Sequence, residues 1–140
     1  MAFGHGKTGY LEVEDAGGTS RNWSTYLDNI QSNLGLDLAD STTFGRNHKG
    51  KTPGLRDSKI SFSGKFDATV DGYIEGIMQK ATTSTAIYGP VGNTAGMIKY
   101  TLEVFLGSYD VTTPVADMVT ISGTLEHDGN QGLPVRGTFS

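Results

Sequence analysis

The chain reads as mainly β: an antiparallel β-sandwich or barrel of about seven strands, one flanking α-helix and one long loop. Three observations carry this. Apolar residues recur at every second position in several segments, a single segment switches to helical spacing, and 20 of the 140 residues are Gly. That is about twice the ordinary Gly share of ~7%. It leaves few bulky side chains for a core and many places to turn. The length of 140 residues suits one domain, taken as 1–140, with a modest core. The composition argues against a compact, helix-rich enzyme. It favours turn-rich β structure, or a protein that completes its core by assembling with copies of itself.

Taken in order, Gly9–Glu14 is a short strand candidate and Ser24–Asp28 a candidate helical turn. Ile30, Leu34, Leu36 and Leu38 share one parity. Alternation then fails from Ala39 to Ser58, where Gly, Pro and basic residues dominate. A loop of this length (about 39–58) is usually functional or ordered by a partner. Ile60, Phe62, Phe66, Ala68 and Val70 share one face of the next strand, and Lys59, Ser61, Ser63, Lys65, Asp67 and Thr69 fill the other. Between Asp71 and about residue 82 the period changes: Tyr73, Ile74, Ile77, Met78 and Ala81 form an amphipathic stripe, with Asp71 placed to cap it. Strand spacing returns at Ser84–Tyr88. It recurs at Ile98, Tyr100, Leu102, Val104 and Leu106, and again at Val119, Ile121 and Leu125, with a last short strand at Val135–Phe139. Gly89–Gly96 and Asp128–Gly132 are turns.

Charge is uneven. Between Arg46 and Lys65 stand six basic residues and one acid, a balance of +5, against −9 for the rest of the chain. Such a segment is either a solvated loop or one that docks on an acidic surface of another copy. The overall charge of −4 argues against a general nucleic-acid binder. The absence of Cys excludes disulfide scaffolds, Cys-ligated metals and thiol nucleophiles. No apolar run long enough to span a membrane and no signal-peptide pattern are read.

Each chemical motif has a plainer explanation. Gly45, Gly50, Lys51 and Thr52 satisfy G-x-x-x-x-G-K-S/T in full. A phosphate-binding loop must follow a buried strand and open a helix. Here polar residues precede it and Pro53 and Gly54 follow, so the match is a decoy. His5, His48 and His127 lie near Gly in a terminus or turns and do not suggest a metal site. Asp67, Asp71 and Glu75 read as a strand end, a helix cap and a helix surface rather than acid–base partners. Asn22, Trp23 and Ser24 match a glycosylation acceptor that carries no weight without a secretory signal. Trp23 with Tyr26 is either a carbohydrate platform or the closure of a core edge. No catalytic residues, metal or cofactor are expected.

An ordered set of segments resembles the major tail, or tail tube, proteins of long-tailed bacteriophages, in the small form found among phages of actinobacteria. These are Ser24-Thr-Tyr-Leu-Asp-Asn-Ile30, Asp40-Ser-Thr-Thr-Phe-Gly45, Thr52-Pro-Gly-Leu-Arg-Asp57, Ile60-Ser-Phe-Ser-Gly64, Ile87-Tyr-Gly-Pro90, Ile121-Ser-Gly-Thr-Leu125 and Arg136-Gly-Thr-Phe139. The resemblance runs from Ser24 to the end and is weaker before it. It implies a non-catalytic virion protein, assembled in the bacterial host cytoplasm. A small β-sandwich would form homohexameric rings that stack into a hollow tube and conduct DNA from capsid to host. The implied partners are other copies and further tail proteins such as tape measure, tail terminator and baseplate components, with no membrane. The loop residues Phe44, Arg46, Lys49, Lys51, Leu55 and Arg56 become the subunit or ring interface. A channel must not hold the DNA passing through it, so Thr120, Ser122, Thr124 and Glu126 are the candidate lumen face. The competing expectation is a non-catalytic β-sandwich binding or capsid decoration module.

Overall fold

A computed structural model describes residues 6–45, 47–128 and 134–139. After a short 3-10 turn at Gly6–Thr8, the strands are β1 (Tyr10–Glu14), β2 (Ser20–Asn22), β3 (Leu27–Asp40) and β4 (Lys51–Lys65). Helix α1 (Ala68–Met78) follows, then β5 (Ser84–Gly89), β6 (Ile98–Thr112), β7 (Thr120–His127) and β8 (Val135–Thr138). All eight strands join one antiparallel sheet in the order β2-β1-β5-β6-β7-β4-β3, with β8 beside the start of β6. The fold class expected from the sequence holds. No helix among the described residues is long and apolar enough to cross a membrane.

The sheet curls. Leu11 and Val13 of β1 share one core with Ile60 and Phe62 of β4, although β5, β6 and β7 separate those strands in the sheet. Ala86, Leu102, Val104, Leu106, Ile121 and Leu125 supply the concave wall between them, and Val70, Ile74 and Ile77 of α1 fill the hollow. Each such side chain contributes about 1.5–3 kcal/mol by leaving water.

The helix begins earlier than its spacing suggests. Its N-cap is Asp67, whose carboxylate accepts from the Thr69 backbone N–H at 2.8 Å. Asp71 is therefore inside the first turn, and the boundaries 71–82 are corrected to 68–78. Ala68 and Val70 belong to the helix and not to the strand before it, and Phe66 lies between the two. Val70, Ile74 and Ile77 form the buried stripe. Glu75 is exposed, as expected of a helix surface.

The segment 39–58 is also corrected. Only residues 41–50 lie outside strands; β3 and β4 extend on either side as a paired ribbon, with Leu34 opposite Ser58, Leu38 opposite Pro53 and Asp40 opposite Lys51. Trp23 settles the choice between sugar platform and core closure. It is fully buried, edge-on to Phe62 at 5.5 Å, so it presents no ring to a ligand. The expected turn at Gly89–Gly96 includes left-handed Gly92 and Gly96, whereas most of the turn expected at Asp128–Gly132 lies outside the described residues.

One glycine is dictated by close backbone approach. A register shift between Leu27 and Asn29 brings the Tyr26 carbonyl and Leu27 Cα over Gly64, and Lys65 N–H donates to that carbonyl at 2.9 Å. A Cβ at Gly64 would overlap the Tyr26 oxygen and lie 2.6 Å from Leu27 Cα. Gly64→Ala is expected to cost about 1–3 kcal/mol, the ordinary range for overpacking. Gly72→Ala is the control. It sits on the helix with open space at its Cβ and should gain up to about 1 kcal/mol. Urea midpoints of the two variants would therefore move in opposite directions.

Candidate functional site

Two surfaces stand out: a polar sheet face and a projecting arm. Along β7 the odd-numbered residues Ile121, Gly123 and Leu125 are buried. Thr120, Ser122, Thr124 and Glu126 point away from the core. Register extends this face across four strands. Lys65, Ser63, Ser61 and Lys59 of β4 stand opposite Thr120, Ser122, Thr124 and Glu126, while Thr112, Asp110, Ser108 and Phe105 of β6 flank the other side. Asn29, Gln31 and Asn33 of β3 continue it beyond β4. Ser108 and Thr124 share a hydroxyl hydrogen bond at 3.0 Å beside the bulge at Gly107.

One of the two lysines on this face is paired. Lys59 is directly opposite Glu126, and Lys65 Nζ lies 3.7 Å from the Asp28 carboxylate, which also accepts from Ser63 at 3.3 Å. With Asp110, the face carries three carboxylates and two ammonium groups, a balance of −1. It is hydroxyl- and amide-rich and weakly acidic.

The arm is the outer part of the β3–β4 ribbon. β7 pairs with β4 only from Lys59 onward, so residues 51–58 are held by β3 alone. At ~3.3 Å per residue this overhang is about 25 Å long. An isolated two-stranded hairpin is marginal in water. This one also exposes apolar side chains: Phe44 and Leu55 at 107% and 81%, with Leu34, Leu36 and Leu38 also open. Its apex is braced locally. Asp40 accepts from Thr42 N–H at 2.9 Å, and Thr42 Oγ1 accepts from Gly50 N–H at 2.7 Å. The Thr42 bonds hold the Asp40 carboxyl below its ordinary range.

The interface candidates Phe44, Lys49, Lys51, Leu55 and Arg56 all lie exposed on this arm, and Arg46 falls outside the described residues. The fold tempers their charge. Asp40 stands opposite Lys51, and Asp37 is on the same ribbon, so β3 returns acid to a segment that is basic in isolation. Missed in the sequence were the exposed leucines of β3 as part of this surface; their alternation through Leu38 was the available signal.

The Gly45 to Thr52 match is the hairpin apex. Lys51 and Thr52 open a strand, not a helix. His5 lies outside the described residues, and no group of three or more metal-binding side chains occurs among those described. Asp67 caps α1, and Asp71 accepts from the Tyr109 hydroxyl at 2.8 Å.

Three tyrosines give the body an alkaline limit. Burial raises Tyr109, aided by Asp71. Burial also pushes Tyr10 up to about 12, aided by Glu12, and raises Tyr88. Neutral tyrosine is thus favoured in the folded state. Its stabilisation is complete below the unfolded value of about 10 and is lost as pH rises above it. Thermal melts should fall as pH rises from about 10 to about 12, with a smaller fall in Tyr109→Phe.

With this geometry in hand, the solved structures are informative. The chain superposes on the tail of an empty gene transfer agent particle, refined with C6 symmetry, at a TM-score of 0.73 and 14% identity, covering 99% of this chain and 100% of that one. It matches the SPP1 tail tube at 0.74 and 14%, covering 97% and 80%. It matches a subunit in the sheath–tube complex of an extracellular contractile injection system at 0.67 and 11%, covering 97% and 92%. The fold is that of phage-type tail tube proteins. No family model matches the sequence, and no curated protein does.

Proposed function

We propose that this protein is a structural subunit of a virion tail tube. The observation that carries the reading is the four-stranded half-sheet β3-β4-β7-β6. Its face away from the core is polar and weakly acidic, and it ends in two open edges. Among the described residues β3 has no partner on its outer side. β5 leaves β6 at Val104, so residues 105–112 are open on the edge away from β7. Open edges of this length invite pairing with another chain. Joining β3 of one copy to the free half of β6 in the next preserves antiparallel order and builds a closed wall. Thr120, Ser122, Thr124 and Glu126 then line a channel.

Such a wall suits passage of DNA. Lys and Arg contacts to phosphates hold nucleic acid, whereas this face has more carboxylates than lysines and pairs Lys65 with Asp28. The protein would act without catalysis or cofactor, as rings stacked in a phage tail, assembled in the host cytoplasm and joined to other tail proteins. The sixfold symmetry of the similar gene transfer agent tail supports hexameric rings. Negative-stain microscopy of the purified protein tests this. Rings or open-ended tubes are expected, and a monomer at all concentrations would overturn it.

A further inference from the structure

Exposed apolar side chains sort to opposite ends of the molecule. Strand register defines one end, where Thr112 and Lys65 both face Thr120. The β6–β7 turn, residues 113–119, projects there. It carries Val115 at 108% and Met118 at 62% exposure. Val111 is opposite Ile121, which is opposite Gly64, and Phe66 N–H donates to the Val119 carbonyl at 3.0 Å. Exposed Val111 and Phe66 therefore belong to this end as well. The arm, with Phe44 and Leu55, projects from the other end.

The two ends also differ in charge. The turn, residues 113–119, contains Asp117 and no Lys or Arg, and the arm apex, residues 41–50, contains Arg46 and Lys49 and no acid. They cannot meet within one copy. β4 runs from the arm to the turn end over 15 residues, about 50 Å at strand rise, and the ribbon is paired as far as Lys51.

We propose that the arm apex of one copy seats on the β6–β7 turn of a second copy, with Phe44 and Leu55 against Val115 and Met118, and Asp117 facing the basic groups of the arm apex. This rests on the tube reading and adds where the arm lands. The two surfaces are different, so the contact is heterologous, and because arm and turn lie at opposite ends of β4 it joins copies end to end rather than edge to edge.

The chain has no Cys, so introduced pairs report cleanly. Wild-type assembly is first established by microscopy. A chain carrying Phe44→Cys and Val115→Cys, oxidised after assembly, should give a ladder of multimers on non-reducing gels. Each single variant alone should give none, and a mixture of the two should give dimers. Leu55→Cys with Met118→Cys provides a second pair. Tubes of wild-type form in which neither pair cross-links would overturn the landing site and leave the tube reading standing. Wild-type protein that never assembles would overturn both. Val115→Asp covers variants that fail to assemble as cysteines. It should melt like wild type and assemble at least tenfold less, and undiminished assembly would contradict the proposal.

Discussion

Trp23→Ala should cost about 3–5 kcal/mol, the range for truncating a buried aromatic. Trp23 is 0% exposed and meets Phe62 edge-on, and its backbone N–H donates to Leu11 at 2.9 Å where the chain turns into β3. Removing the indole leaves a void in the core beside Phe62 of β4. That cost is a large share of a total stability of about 5–15 kcal/mol. Chemical denaturation of the purified variant measures the loss. A drop below 1 kcal/mol would mean that Trp23 does not close the core as described.

The second large effect is on assembly. Phe44→Ser with Leu55→Ser should leave the monomer's melting temperature within a few degrees of wild type, because both side chains are exposed and neither belongs to the core. Assembly should nevertheless fall by at least tenfold, since burial of two such side chains per contact is worth about 3–6 kcal/mol. Sedimentation separates the two outcomes. Full assembly by this variant would show that the arm apex is not an interface.

The body of the fold was legible because its core strands are half-buried: Ile60 and Phe62, or Ile121 and Leu125, alternate with polar neighbours. The helix start was obscured by coincidence. Phe66, Ala68 and Val70 keep the parity of the strand they follow, so the change of period became visible only at Tyr73 and Ile74. Asp67 followed by the Val70, Ile74 and Ile77 stripe held the correct signal.

The arm was hidden for a different reason. Neither face of residues 51–57 is buried within one copy, so no alternation marks them as strand, and Pro53 argues for a loop. A segment whose packing partner is another chain leaves little periodic trace. The local charge balance was hidden similarly, because a count along the sequence cannot show that Asp40 faces Lys51. The polar parity of β7 was readable in advance because its other parity, Ile121 and Leu125, is plainly apolar. What could not be read was that Lys65 on the adjacent strand pairs with Asp28 of β3.

The most direct measurement is a helical cryo-electron-microscopy reconstruction of the assembled protein. The account predicts a hollow tube whose inner wall is the β3-β4-β7-β6 face, with Thr120, Ser122, Thr124 and Glu126 toward the channel. A tube with that face turned outward, or a solid filament with no channel, would contradict it.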